Sequence, residues 1–472
     1  MNKQMKSFIT KQTLYLFLLL TVGISNRVLS ATIKVDSPKL TLREFIQRAT
    51  TQDHNFEAIL INQLPLLYQH DLLMPDSDVI LDVKYQNNFY LSQDRNNPEA
   101  VLSLSKLFPV TGTDVSVSYN KTSSATSIPD DSSLQLLISQ PIARNAFGKN
   151  TQLLSRITDI KNDVSRYQVV EAYEDYLASL SAIYYSWYSA YENLRVGQAS
   201  YRSNQRLMKN ILERQRQNIA LPVDVNKMKL LLLGKKENLV VLEELYSNLS
   251  NLIFKSINNN ATPYIPAKPE RPTADVQFER DYENFTQNSR TYKILRLLEQ
   301  QGTLQVKKAA DDLLPSTNLL LGYKLEGKDW GVKQQQRDFF AGISLRWPIG
   351  RTVDKAKYQV SKIEYKKTVL SNQNKYAELQ TNLKNIYLQI EREQKLISMS
   401  QQKTSLSESI LRDESENYSF GKITLNDYIT AVNRVDENKF SYTEHQVQLN
   451  KLLLEWLRIT DRLVNKSILT TD

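Results

Sequence analysis

The chain of 472 residues contains no cysteine and only three histidines. The absence of cysteine excludes disulfide bridges, thiolate metal sites, a cysteine nucleophile and an N-terminus acylated on cysteine. The histidines, His54, His70 and His445, do not have the spacing of metal ligands. Only 12 glycines occur, and none of them forms a phosphate-binding loop motif. We therefore expect no enzymatic activity, no cofactor and no metal site.

Long hydrophobic runs are also missing after the first thirty residues, where no segment approaches the length of a membrane-spanning helix. Residues 1–30 combine three lysines with the apolar run 14–22 and with small residues before Ala31. This pattern is typical of a secretory signal peptide. A membrane anchor is the less favoured alternative, because about 11 apolar residues fall short of the roughly 20 that a spanning helix needs. The sequence predicts an exported protein.

The charge pattern gives little support for a nucleic-acid partner. The formal net charge is +9, and removal of residues 1–30 takes away four basic and no acidic residues, which leaves +5. Lysine and arginine are interspersed with glutamate and aspartate and do not form a patch. We expect no nucleic-acid binding.

Several short segments alternate strictly between apolar and polar residues, as in 79–86, 115–120, 319–326 and 341–347. Such a strand has one apolar and one polar face, which fits a membrane β-barrel with lipid outside and water inside. A half-buried strand of a soluble sheet has the same alternation, so both interpretations stay open on these segments alone. Aromatic residues near the strand ends favour the membrane interface.

Each half of the chain offers one clear hairpin, which gives about four strands per chain. Four strands cannot close a barrel, so we expect a barrel shared between three chains. An additional strand pair, 102–107 and 115–119, is connected by the turn 109–112. This pair either enlarges the barrel or forms an extracellular flap.

The helical segments are unusually long. Residues 151–217 and 351–417 contain no proline, and each helix of about 67 residues would extend roughly 100 Å. Their apolar residues recur at alternating spacings of three and four, which is typical of coiled coils. Shorter helices are predicted at 40–67, 221–258, 276–312 and 425–466.

Two sequence features occur twice, in the same order and at nearly the same distance. Pro141 and Pro348, each at the transition from strand to helix, are 207 residues apart. The segments Asn218 to Asp224 and Gly421 to Asp427, each at a turn between helices, are 203 residues apart. This pattern indicates an internal duplication. The predicted organisation is a signal peptide (1–30), a first repeat (31–258), a proline-rich linker (259–275), a second repeat (276–466) and a tail (467–472).

With these duplicated motifs, essentially the whole mature chain resembles the TolC-like outer membrane efflux proteins. The resemblance implies an α+β membrane protein, a homotrimer with a twelve-stranded barrel in outer membrane lipid and a long α-helical coiled-coil tunnel in the periplasm. It also implies an exit duct that works with a periplasmic adaptor protein and an inner-membrane RND or ABC transporter, in drug efflux or in protein secretion. The alternative from another class is a secreted coiled-coil scaffold without a pore.

The resemblance also suggests where such a duct closes. Tyr418 and Asp224 match positions that hold the inner helices closed in the family, and Asp427 is the equivalent of Asp224 in the second repeat. Asn218 and Gly421 suit the left-handed backbone at a helix end. The two aspartates also suit the N-terminus of the following helix, which is a purely structural alternative. Ile423 and Thr430 replace charged residues of other members, so we expect a looser closure than a salt-bridged gate.

Overall fold

The computed structural model of the chain describes residues 37–90, 95–122, 131–259, 263–328 and 331–464. The predicted signal peptide and the predicted tail lie outside these residues. The chain divides into two compact units. Within the described residues, the first comprises 37–47, 183–270 and 397–447, and the second comprises 48–182, 271–396 and 448–464. Secondary structure is mainly helical with one large sheet, so the predicted α+β class is confirmed.

The second unit contains an antiparallel sheet of six strands. Its strands are β2 (Val79–Tyr90), β3 (Arg95–Phe108), β4 (Thr113–Thr122), β5 (Asp131–Pro141), β7 (Ser316–Lys328) and β8 (Gly331–Arg346), in the order β2-β3-β4-β5-β7-β8. The prediction of about four strands per chain is therefore wrong. The additional pair, left open by the sequence, is β3 and β4, which hydrogen-bond continuously to β2 and β5. Gly112, with a φ of 71°, allows the tight turn between them.

The alternation predicted from sequence appears in two adjacent rows of paired residues that cross all six strands. One row of directly paired residues is entirely apolar and runs through Leu81, Leu104, Val117, Leu136, Tyr323 and Phe339. The adjacent row is entirely polar and runs through Asp82, Ser103, Ser118, Gln135, Lys324 and Asp338. The apolar row is exposed in the single chain, with 60% of Leu81 and 73% of Phe339 accessible to solvent. This face of the sheet is not part of a core formed by the described residues.

Four long helices contain most of the helical residues of the chain. The helices α4 (Lys149–Arg216) and α8 (Thr352–Ser419) have 68 residues each, and their bounds agree with the predicted ones within two residues. The helices α5 (Pro222–Ser256) and α9 (Leu425–Ile459) have 35 residues each and follow α4 and α8 after short turns. No helix in the described part of the chain is sufficiently long and apolar to cross a membrane.

Two predicted helices are interrupted. The segment predicted at 40–67 contains α1 (Leu42–Gln52), α2 (His54–Ile61) and a 3₁₀ turn (Leu64–Leu67), and α3 (Gln69–Leu73) follows. The segment predicted at 276–312 contains α6 (Phe278–Asn288) and α7 (Arg290–Asp311). Ser289 has an extended backbone and its hydroxyl accepts the N–H of Tyr292, so it ends one helix and caps the next.

The proline-rich linker contains a structural element that the sequence did not suggest. In the first unit, the two-residue strand β1 (Lys39–Leu40) pairs in parallel with β6 (Ile265–Pro266). The buried hydroxyl of Tyr184 lies 2.7 Å from the carbonyl oxygen of Leu40 and 2.8 Å from that of Ala267. Because one hydroxyl reaches both strand segments, it fixes them to α4.

Candidate functional site: helix turns and strand-to-helix junctions

The turn after α4 ends the helix with two characteristic backbone hydrogen bonds. The N–H of Asn218 donates to the carbonyl of Gln215 at 2.9 Å, and the N–H of Ile219 donates to the carbonyl of Arg214 at 2.8 Å. Asn218 has a φ of 60°, in the left-handed region. This arrangement is a Schellman motif, which satisfies carbonyl groups left without partners at a helix end.

The turn after α8 repeats this geometry. The N–H of Gly421 donates to the carbonyl of Tyr418 at 3.0 Å, and the N–H of Lys422 donates to the carbonyl of Asn417 at 2.9 Å. Gly421 has a φ of 72°. Asparagine and glycine are the residue types that adopt this conformation most easily, which explains why they share the position.

The two predicted aspartates lie at the starts of the following helices. The carboxylate of Asp224 accepts the N–H of Leu221 at 3.2 Å. The carboxylate of Asp427 accepts both the N–H (3.1 Å) and the hydroxyl (2.7 Å) of Thr424, whose own oxygen accepts the N–H of Asp427. The hydrogen bonds from Thr424 lower the pKa of Asp427. Both aspartates thus fulfil the structural role of a helix cap.

Tyr418 connects the two turns. The guanidinium of Arg214 lies over its ring at 5.1 Å, and the ring of Tyr428 stacks against it at 5.5 Å. Burial raises the pKa of Tyr418, the charge of Arg214 lowers it, and the charge of Asp224 raises it further. No described hydrogen bond joins Asp224 to Tyr418, so Asp224 acts on that residue through its charge. The described hydrogen bonds of the Asp427 side chain all go to Thr424.

The turns rest on a common hydrophobic cluster. Ile211 of α4, Val225 and Met228 of α5 and Leu425 of α9 are buried together, and Tyr418 packs against them. All four long helices contribute to this cluster, so both turns pack against the same buried side chains.

Arg214 is the residue of this site that sequence reasoning missed. The second turn carries Ile423, which has no charge, whereas the structure brings a guanidinium from the first turn to the ring of Tyr418. Its position two residues before the end of α4 was the available signal, because basic residues are favoured in the last turn of a helix.

The first strand-to-helix junction is hydrogen-bonded to the start of β7 and to the segment that leads into it. Pro141 is the last residue of β5 and lies opposite Asn318. The N–H of Ile142 donates to Thr317 at 2.9 Å, and that of Arg144 donates to Pro315 at 3.1 Å. These bonds continue the sheet pairing beyond the proline.

The Arg144 side chain strengthens the same contact. Its guanidinium donates to the backbone carbonyl of Asp312 at 3.2 Å and lies 3.8 Å from the carboxylate of that residue. It also donates to the carboxylate of Asp354 at 3.3 Å. The backbone at Gly148 (φ 76°) lies very close to the backbone of Val110. A Cβ atom at Gly148 would lie 2.1 Å from the carbonyl oxygen of Val110.

The second junction has no such cover in the single chain. Pro348 lies in the connection between β8 and α8, where 58% of Trp347 and all of Ile349 are exposed. The guanidinium of Arg351 lies over the Trp347 ring at 5.6 Å, and its Nε has no hydrogen-bond partner among the described residues. The two junctions therefore share a proline and differ in their surroundings.

A further repeat at the junctions was overlooked in the sequence. Residues 141–144 read Pro-Ile-Ala-Arg and residues 348–351 read Pro-Ile-Gly-Arg. Arg144 and Arg351 are 207 residues apart, the same distance as the two prolines. A comparison of the three residues after Pro141 with the three after Pro348 is sufficient to identify both arginines in the sequence.

Among the described residues, no group of three or more His, Cys, Asp or Glu side chains is arranged to hold a metal ion. The site consists of helix ends, an aromatic cluster and strand ends. Its evident property is the packing of helix ends against one another.

Comparisons with known proteins give the fold. No protein-family model matches the sequence, and no curated protein matches it. Solved structures do match. The chain is similar to the CmeC outer membrane channel of Campylobacter jejuni, with 14% identity, a TM-score of 0.66 and coverage of 90% of this chain and 86% of that chain.

Two further outer membrane proteins show the same similarity. The outer membrane protein VceC of Vibrio cholerae has 11% identity and a TM-score of 0.68, over 89% of this chain and 95% of that chain. The open state of the MtrE outer membrane channel of Neisseria gonorrhoeae has 14% identity and a TM-score of 0.67, over 89% of each chain.

The chain thus has the fold of TolC-like outer membrane channels over nearly all of its length. This confirms the resemblance seen in the duplicated motifs at the level of the fold.

Proposed function

We propose that this protein is an outer membrane exit duct that conducts substrates passively. The observation that carries the proposal is the six-stranded sheet, in which a row of apolar residues that is uncovered in the single chain lies next to a row of polar residues across all six strands. Lipid would cover the apolar rows and water would fill the lumen along the polar rows. The channel fold of the whole chain supports the same function.

The sheet of one chain is open at both edges, so we propose that three copies share one barrel around a common axis. The long helices α4 and α8, which follow the sheet in the sequence, would continue the lumen through the periplasm. A periplasmic adaptor would dock to the duct, and an inner-membrane transporter of the RND or ABC class would deliver the substrate. The fold supports this assembly as an exit duct that performs no chemistry of its own.

We propose further that the helix turns at Asn218 and Gly421 form the periplasmic gate. The contact of Arg214 with the ring of Tyr418 joins the end of α4 to the end of α8, so separation of these helices must break it. Asp224 would act through its charge near Tyr418, and Asp427 through the cap at Thr424. Closure would depend on a cation–π contact and packing in place of a salt bridge.

The test is the mass and shape of the mature protein after extraction from membranes in mild detergent, measured by light scattering and electron microscopy. A trimeric particle that fractionates with the outer membrane and forms pores in planar bilayers supports the duct. A protein released by osmotic shock as a soluble monomer or dimer would contradict it and would favour the coiled-coil scaffold.

A further inference from the structure

The sequence elements that join β5 to β7 occur a second time, at the two outer edges of the sheet. Among the described residues, those two edges are not joined to each other. Within the chain, the Pro-Ile-Ala-Arg segment that follows β5 binds the segment that leads into β7. The Pro-Ile-Gly-Arg segment that follows β8 has the same sequence pattern. Among the described residues, β8 is an edge strand and no other strand pairs with its outer side.

The partner of the first junction also occurs twice in the sequence. The segment before β7 reads Asp-Leu-Leu-Pro at 312–315, and the segment before β2 reads Asp-Leu-Leu-Met-Pro at 71–75. The strands that follow correspond as well, because Leu319, Leu321 and Tyr323 of β7 occupy the positions of Val79, Leu81 and Val83 in β2. Thus β2 is the counterpart of β7 and Asp71 is the counterpart of Asp312.

From this double correspondence we infer that β8 of one copy pairs with β2 of the next copy, and that Arg351 binds the segment containing Asp71 across this interface. The inference rests on the proposed trimer and specifies how its barrel closes. It accounts for the exposed Trp347 and Ile349, and for Asp71, whose side chain is 85% exposed.

Strand direction and side-chain pattern agree with this interface. The six strands alternate in direction, so β2 and β8 run oppositely and a rotated copy presents an antiparallel partner. Transfer of the β5–β7 register, in which Leu136 lies opposite Tyr323, places Ile343 opposite Val83 of the next copy. The same register places Leu345 opposite Leu81 and Trp347 opposite Val79. All these pairs continue the apolar face.

The consequence is a barrel of eighteen strands, three copies of the six-stranded sheet, where the family resemblance implied twelve. With strands about 4.8 Å apart and tilted by about 40°, eighteen strands give a backbone diameter of about 36 Å and twelve give about 24 Å. The pair β3 and β4 would then widen the membrane pore by about half, with Leu104 and Val117 facing lipid.

Disulfide cross-linking tests the strand pairing directly, because the natural chain has no cysteine. The fixed residue is Ile343→Cys, combined in turn with Leu81→Cys, Val83→Cys or Tyr85→Cys in β2. Directly opposed residues of an antiparallel pair lie about 4.5–5.5 Å apart at Cα, within the range of a disulfide. Oxidation in membranes should give disulfide-linked dimers and closed trimers, and a reductant should return them to monomers on denaturing gels. The yield of linked species should be largest for Val83→Cys. Single variants should give none.

The matched control series places the second cysteine in β4 at Val115, Val117 or Tyr119. These residues lie on the same apolar face, and two strands separate β4 from β8 within one chain. Linkage to β4 would indicate a twelve-stranded barrel that omits β2 and β3, and would overturn the inference. Linkage within one monomer, or no linkage in either series, would also overturn it. A larger cross-linking yield at Leu81→Cys or Tyr85→Cys than at Val83→Cys would overturn the register inferred from the β5–β7 pair.

Charge reversal tests the junction independently. Arg351→Asp and Asp71→Arg should each lower the fraction of trimer that resists mild SDS, by threefold or more, and the double variant should restore it. Failure of the double variant to restore the trimer would contradict the pairing of these two residues. The particle mass separates the two proposals: the absence of a membrane trimer removes both, whereas a trimer linked through β4 removes only this inference.

Discussion

The guanidinium of Arg214 lies 5.1 Å from the centre of the Tyr418 ring, although the two residues are 204 positions apart in the chain. This contact joins the last turn of α4 to the last turn of α8. We predict that Arg214→Ala raises the leak conductance of single channels in planar bilayers, because an exposed or half-buried cation–π contact contributes about 0.5–2 kcal/mol to the closed state. Tyr418→Ala should have a similar effect.

Two variants make this prediction specific. Tyr418→Phe keeps the ring and should leave the conductance close to that of the natural protein. Arg206→Ala removes an exposed arginine of the same helix and should also have no effect. Equal conductance in Arg214→Ala and Arg206→Ala would exclude the contact from the gate.

The residues with left-handed backbone at the two turns should be interchangeable. We predict that Gly421→Asn and Asn218→Gly leave stability nearly unchanged. Gly421→Ala should cost about 1–2 kcal/mol, because alanine is strained at positive φ even though an added Cβ would meet no atom within 4 Å. Urea unfolding, followed by circular dichroism in detergent, measures the difference. A Gly421→Ala protein as stable as Gly421→Asn would contradict this account.

The cap at Asp427 should fail in acid. Hydrogen bonds from Thr424 lower the pKa of Asp427 below its usual value of 3.8. The stabilisation is therefore complete above the unfolded-state pKa and is lost as the pH falls through the lower, folded-state value. We expect the Thr424 amide to lose protection from hydrogen exchange in this range. Asp427→Asn should exchange faster at neutral pH and show no such pH dependence; equal profiles would refute the prediction.

The hydroxyl of Tyr184 should stabilise the first unit. Tyr184→Phe leaves the Leu40 and Ala267 carbonyl oxygens without this donor, and we predict a loss of about 1–3 kcal/mol. Faster proteolysis near β1 should accompany it. Tyr185→Phe is the matched control, since Tyr185 is equally buried and its hydroxyl makes no hydrogen bond within the described chain. Equal losses in both variants would show that the hydroxyl of Tyr184 has no special role.

Gly148 should be indispensable at the first junction. An added Cβ would overlap the Val110 carbonyl oxygen at 2.1 Å, so Gly148→Ala must displace the turn between β3 and β4. We expect a strong decrease in folded protein recovered from the outer membrane. Gly342→Ala is the control, because an added Cβ there meets no atom within 4 Å. Normal recovery of Gly148→Ala would mean that this turn does not hold the junction.

Features with local causes were predictable from the sequence. The alternation of residues 79–86 and 319–326 defines strand faces, and long stretches without proline define α4 and α8 within two residues. Asn218 and Gly421 mark helix ends because few other residues adopt a left-handed backbone. The repeated prolines and aspartates locate the junctions and the helix starts.

Features that depend on distant partners were not predictable in the same way. The number of strands was decided by the pairing of β3 with β2 and of β4 with β5. The sequence of this hairpin alone is equally compatible with a flap outside the sheet. Arg214 became part of the site only because packing brings the end of α4 beside Tyr418. The strand β6 exists because Leu40 pairs with Pro266, more than 200 residues away.

The sequence by itself determined the period of each segment, the places where helices begin and end, and the pairs of positions that correspond between the repeats. These follow from backbone preferences and side-chain polarity over a few residues. Only the tertiary structure decided that the sheet has six strands, that Arg214 reaches Tyr418 and that the two junctions differ. Those outcomes depend on contacts between residues far apart in the chain, which no local pattern encodes.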